Sequence, residues 1–173
     1  MDKLCFLPGK PLPLGSSVQK GCVNFSVFTR NGTRVILELF KTSEDAEPYE
    51  SYQLDSKLNR TGDIWHVAVC GISAGSLYLY RVDGPFRPNE GLRFNVHKYL
   101  LDPYAKAITP NSIFLGLRNK QINPSRLDGD LLYNTTHSAE NFPKCIVIDD
   151  NDFDWEGDRP LNYPLRYCVV YEA

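Results

Sequence analysis

The sequence predicts an all-β fold, an antiparallel β-sandwich, and three features carry the prediction. Short runs alternate in polarity: in Leu77-Tyr78-Leu79-Tyr80-Arg81-Val82-Asp83, Tyr78, Tyr80 and Val82 fall on one face and Leu77, Leu79 and Arg81 on the other. Turn formers cut these runs at short intervals, among them Asn31-Gly32, Asn59, Gly62-Asp63, Gly71, Gly75 and Asp83-Gly84-Pro85. Between them no segment shows a helical period.

Taken in order, residues 1–15 form an N-terminal arm. Pro8, Gly9, Pro11, Pro13 and Gly15 are too dense there for a helix or a central strand, so the arm lies on a surface. Residues 16–109 form the sandwich. Strands over 23–29 and 34–40 flank Asn31-Gly32, a strong hairpin signal, and turn Val23, Phe25 and Val27 inward opposite Val35, Leu37 and Leu39. Further strands are expected over 49–54, 64–70 and 77–83. Asp83-Gly84-Pro85 then stops the chain, because glycine tolerates angles closed to other residues and proline lacks a ladder donor. Asp102 before Pro103 is pushed extended, which predicts a strand edge or corner. Residues 110–144 are an irregular connection broken by Asn111, Gly116, Asn119, Asn123, Pro124, Gly129 and Asn134. Residues 145–173 hold a short β-branched run at 145–148, an acidic break and a linker. Among sandwiches the immunoglobulin-like arrangement is the first expectation, without its disulfide.

Composition narrows the function. The 173 residues can hold one domain of ordinary size and part of another, and 42% hydrophobic content permits a proper core. Nineteen basic and 21 acidic side chains are mixed along the chain and leave a net charge of -2, so nucleic acid and anionic membrane are poor partners. Cys5, Cys22, Cys70, Cys145 and Cys168 are scattered, odd in number and without a Cys-x-x-Cys pair, which argues against zinc and suits a reducing compartment. With neither a signal-peptide pattern nor a long apolar run, the expected location is cytoplasmic.

Motifs for chemistry are few. Asp150, Asp152 and Asp154 resemble the opening of a calcium loop, but the sixth and twelfth positions are Trp155 and Leu161 instead of glycine and glutamate. His66, His97 and His137 stand apart without ligand spacing, and no serine has a Gly-x-Ser-x-Gly setting. No metal and no cofactor are expected.

Several motifs together resemble the N-terminal region of isoamylase-type glycogen debranching enzymes of glycoside hydrolase family 13. They are Pro13-Leu14-Gly15, Arg81-Val82-Asp83-Gly84-Pro85, Gly91-Leu92-Arg93-Phe94-Asn95, Leu101-Asp102-Pro103-Tyr104-Ala105-Lys106 and Phe153-Asp154-Trp155-Glu156-Gly157-Asp158-Arg159-Pro160. The chain departs from that pattern at Asn95-Val96-His97-Lys98-Tyr99-Leu100, where the family often has Asn-Pro-Asn-Lys-Leu-Leu, and at Leu165, where it has tryptophan. The resemblance implies that the linker ends in the first strand of a (β/α)8 catalytic barrel missing from this chain. It also implies that the parent hydrolyses α-1,6-glucosidic branch linkages of glycogen or starch. The two carboxyl groups a retaining glycosidase needs, about 5–5.5 Å apart, would lie in that barrel, so no residue here is expected to be catalytic.

By the same resemblance the sandwich is similar to carbohydrate-binding module family 48, and its partners would be α-glucan and its own barrel. Sugar rings stack on flat aromatic faces, which makes Trp65 and Tyr80 the weak candidates for glucan contact. Both are in phase with core residues, so glucan binding by the module alone is expected to be weak or absent. Gly84, Pro85, Phe86, Phe94, Asn95 and Trp155 are the candidates for the barrel interface, because loops at sandwich ends carry contacts. The alternative reading is a free-standing glycan-binding or scaffold module without an enzyme attached.

Overall fold

Two antiparallel β-sheets face each other across an apolar core in the computed structural model, which describes residues 4–110, 133, 135, 139 and 142–172. The strands in chain order are β1 (Cys5–Leu7), β2 (Gly15–Gln19), β3 (Cys22–Phe28), β4 (Arg34–Phe40), β5 (Glu50–Gln53) and β6 (Arg60–Thr61). They continue with β7 (Ile64–Cys70), β8 (Leu77–Asp83), β9 (Phe86–Arg87), β10 (Leu92–Arg93), β11 (Ala107–Ile108) and β12 (Cys145–Ile146). The first sheet runs β1-β7-β3-β2 with β6 beside β7; the second runs β11-β12-β8-β4-β5. Among the described residues the helical content is two 3₁₀ turns, Pro88–Glu90 and Leu165–Tyr167.

Alternation builds the core as expected. Val23, Phe25 and Val27 of β3 and Trp65, Val67 and Val69 of β7 point in from the first sheet, and all are buried. Val35, Leu37 and Leu39 of β4 and Tyr78, Tyr80 and Val82 of β8 meet them from the second. Phe25 and Tyr78 touch edge to face across the interior, with ring centroids 4.9 Å apart.

The hairpin expected at Asn31-Gly32 does not form. β3 pairs with β2 and β7, while β4 pairs with β5 and β8. The intervening chain crosses from one sheet to the other, pinned by Thr29 N to Asp63 O at 2.9 Å, Gly32 N to Thr29 Oγ1 at 3.2 Å and Thr33 N to Asp83 O at 2.8 Å. The reason is burial. In a hairpin the two apolar faces would lie side by side on one sheet, whereas stacked across the sandwich they cover each other. A disulfide that the scattered cysteines did not announce joins Cys22 and Cys70, within the first sheet and not between the two.

The proline-rich arm lies on the outer face of the first sheet. Prolines supply carbonyls but no N–H, and the outward polar residues of the sheet use those carbonyls. Ser26 Oγ donates to Pro11 O at 2.6 Å, and His66 Nδ1 lies 2.7 Å from Pro8 O. Asn24 takes both backbone groups of Lys10, accepting from its N–H at 2.7 Å and donating to its carbonyl at 3.0 Å. Gly9, at φ 74°, sits where a Cβ would come 2.7 Å from the backbone of Val67 and Ala68. Only glycine lets the arm come this close. The arm also contains β1, which pairs with β7, so the first sheet begins earlier than residue 16.

The second sheet ends later than residue 109, since β12 pairs with β8 and β11. Leu100 bridges to Tyr80 by two backbone bonds of 2.8 and 3.0 Å, and Asp102 turns the corner foreseen before Pro103. Its buried carboxylate accepts from Tyr104 N at 2.8 Å and from the Tyr78 hydroxyl at 2.9 Å. Burial holds that carboxyl above the usual range and pushes the Cys145 thiol up to about 12. Most of the expected irregular connection lies outside the described residues. Residues 150–172 are exposed throughout; Val169, Val170 and Tyr171 pair with no strand among the described residues.

Candidate functional site

Neither aromatic candidate for glucan contact offers a ring face. Trp65 is 1% exposed and Tyr80 is 2% exposed, both inside the sandwich. The Arg60 guanidinium lies 5.0 Å from the Trp65 ring centroid, and Tyr80 packs edge-on against Tyr78 at 5.8 Å. Phase explains the placement, since each alternates with valine on the inward side of a central strand. The two weak candidates are core residues, as their phase with valine indicated, and neither ring is a platform.

Five of the six interface candidates come together at one end of the second sheet. Gly84 leads out of β8 so tightly that a Cβ would meet the Phe94 ring at 2.7 Å. Phe86 and Arg93 then pair in the two-stranded ribbon β9–β10, turned by Pro88–Glu90. Phe94 N donates to Pro85 O at 3.4 Å, and Asn95 Oδ1 accepts from His97 N at 2.9 Å. Phe86 is half-buried and meets Tyr133 edge-on at 5.1 Å. The sixth candidate, Trp155, stands apart: it is 64% exposed on the C-terminal segment and touches Phe153, 4.8 Å away.

A groove that sequence reasoning missed opens at the other end of β4 and β8. It is an open cleft of about 1070 Å³, lined by Leu4, Phe6, Phe40, Lys41, Tyr49, Glu50, Gly71, the Ala74-Gly75-Ser76 turn and Leu77 at the start of β8. Volumes of about 300–1,000 Å³ are usual for ligand pockets, so this is a roomy cleft. Phe6 of β1 stacks flat on Tyr52 of β5, centroids 4.0 Å apart and planes 2° from parallel, and so joins the edges of the two sheets beside it. Tyr49 is 41% exposed and held by its N–H to Leu39 O at 2.9 Å. The Lys41 ammonium stands 5.7 Å from its ring centroid. Partial burial, with the charge of Glu50, pushes the Tyr49 hydroxyl up from its ordinary value; like any tyrosine at neutral pH it is a phenol that can donate.

Chemically the groove offers one partly exposed tyrosine ring beside the polar groups of Lys41, Glu50, Ser76 and the Tyr49 hydroxyl. Nothing in the sequence marked these residues. Phe6 belongs to a stretch that proline and glycine make irregular, and Tyr49 follows a loop with no motif. Among the described residues no three metal-binding side chains converge.

Comparison with known proteins gives matches of three kinds. The model of carbohydrate-binding module 48 (isoamylase N-terminal domain) matches residues 13–105. The glycogen debranching enzyme of Yersinia enterocolitica is 38% identical over 165 residues, 95% of this chain and 23% of that protein. The glycogen debranching enzyme of Serratia proteamaculans is 39% identical over 170 residues, 96% of this chain and again 23% of that protein. The chain thus spans about a quarter of the length of the curated relatives it matches. Among solved structures, a pullulanase from Paenibacillus barengoltzii in complex with maltohexaose and alpha-cyclodextrin aligns with TM-score 0.46 at 21% identity, over 60% of this chain and 14% of that one.

Proposed function

Because the chain belongs to the carbohydrate-binding module 48 (isoamylase N-terminal domain) family, we propose that it serves as the N-terminal accessory domain of an isoamylase-type glycogen debranching enzyme. The observation that carries the proposal is the 38% identity to a glycogen debranching enzyme over 95% of this chain. In this reading the parent is a cytoplasmic hydrolase of α-1,6-glucosidic branch linkages in glycogen or starch, and its catalytic carboxyl groups lie in a (β/α)8 barrel outside the 173 residues. The domain's own task is to pack on that barrel and to hold α-glucan weakly beside it.

Two surfaces divide the task. The lobe built on Gly84, Pro85, Phe86, Phe94 and Asn95, with Trp155 and the exposed apolar side chains of 161–171, supports the reading of a barrel interface. Phe153, Leu161, Tyr163, Leu165, Val169 and Tyr171 are all more than half exposed, a cost in water that a packing partner would remove. The Tyr49 groove supports the glucan contact. Native electrophoresis through glycogen tests it: the wild type is retarded, and Tyr49→Ala weakens retardation about threefold to tenfold, the range expected for one aromatic contact. Equal mobility of the two, in folded samples, would remove the groove from the glucan surface.

A further inference from the structure

Three of the five cysteines, dispersed in sequence, stand side by side at one level of the first sheet. Cys70 on β7 is directly opposite Cys5 of β1 on one side and Cys22 of β3 on the other. All three face outward, because their neighbours Phe6, Val69 and Val23 turn into the sandwich. Cys22 and Cys70 are joined, whereas Cys5 carries a free, exposed thiol.

Ladder geometry sets the spacing. The Cα atoms of Cys22 and Cys70 are 4.0 Å apart, the close spacing of a pair that exchanges no backbone hydrogen bonds. The N–H and C=O of Cys70 therefore point the other way, towards Cys5. Opposed residues that exchange both bonds sit about 5.5 Å apart, which is also the usual Cα separation across a disulfide. Cys5 is thus the direct ladder neighbour of Cys70, at a Cα separation within the range a disulfide spans.

We propose that Cys5, Cys70 and Cys22 form a thiol–disulfide exchange site. The Cys5 thiolate attacks Sγ of Cys70; a Cys5–Cys70 bond forms as the Cys22–Cys70 bond breaks. The electron pair leaves on Cys22 Sγ, which takes up a proton in place of the one Cys5 gave up, so no oxidant or reductant is consumed. Because the three residues sit in a row across the strands, the entering and leaving sulfurs approach Cys70 from opposite sides, as an in-line displacement requires. Exchange moves a covalent staple from two seven-residue strands to the three-residue strand β1. Leu4 and Phe6, which wall the groove, are pinned in one form and held by a short ladder in the other.

The test is peptide mapping by mass spectrometry without reduction, after acid quenching and alkylation, on the 173-residue chain carrying Cys168→Ser. That substitution removes the other exposed free thiol; Cys145 is buried and does not compete. After incubation without oxidant in mildly alkaline buffer, which favours the attacking thiolate, the Cys5–Cys70 peptide is expected to appear as the Cys22–Cys70 peptide falls, at a rate unchanged by dilution. With Cys5→Ser, only the Cys22–Cys70 linkage should remain. With Cys22→Ser and glutathione disulfide, Cys5–Cys70 should form. The proposal is overturned if Cys22–Cys70 stays the sole linkage in the parent chain, if Cys22→Ser yields no Cys5–Cys70 bond, or if all three thiols stay free under glutathione disulfide.

Discussion

Trp65→Ala is expected to cost the domain about 3–5 kcal/mol, the loss typical of a fully buried large aromatic side chain. A domain of this kind holds about 5–15 kcal/mol in all, so the substitution removes a large share of what keeps it folded. The size of the effect follows from position. Trp65 is 1% exposed on the central strand β7, opposite Val27 in the ladder and among the largest side chains of the core. Alanine leaves a void that a close-packed interior fills only in part. Urea denaturation followed by tyrosine fluorescence measures the loss, and Trp65→Phe should recover most of it. A Trp65→Ala chain of wild-type stability that no longer binds glycogen would return this residue to the role of a sugar platform.

Arg81→Ala is expected to be nearly as severe, again about 3–5 kcal/mol, because it strands a charge. Glu38 points out of the second sheet, yet its side chain is 0% exposed and its ion pair is with Arg81. Ser51 Oγ donates to the other carboxylate oxygen, and the guanidinium stands 5.7 Å from the Tyr99 ring centroid. With the arginine gone, the carboxylate stays buried against one hydroxyl. The paired replacement Glu38→Met with Arg81→Met removes both charges and should come back towards wild-type stability, since buried ion pairs contribute little beyond an apolar pair of similar volume. A double-mutant cycle in urea checks this. A single Arg81→Ala loss below about 1 kcal/mol, the range of exposed pairs, would mean that water reaches Glu38.

What was legible in the sequence is what alternation and turn chemistry determine locally. The inward sets of β3, β4, β7 and β8 follow from period two alone, and the corner at Asp102 follows from the proline after it. Pairing is a different matter, because it is decided by which strands find each other. Asn31-Gly32 suits a hairpin, but stacking the two strands across the core buries both apolar faces, and the crossing wins. The cysteine row is hidden for the same reason: residues 5, 22 and 70 become neighbours only once β1 and β3 flank β7. Trp65 and Tyr80 attracted attention as aromatic rings, and the phase that placed them with valines is what buried them. The Tyr49 groove needed the sheet edges to be assembled, which no local pattern encodes.

The claim that the chain is the accessory domain of a debranching enzyme is tested most directly in a chimera. This chain replaces the matching N-terminal quarter of a glycogen debranching enzyme to which it aligns, and release of branch chains from glycogen is measured. The account predicts a folded chimera that cleaves branches, and loss of that cleavage when residues 150–172 are exchanged for a glycine-serine stretch of equal length. A folded chimera without cleavage, or one indifferent to that exchange, would contradict it.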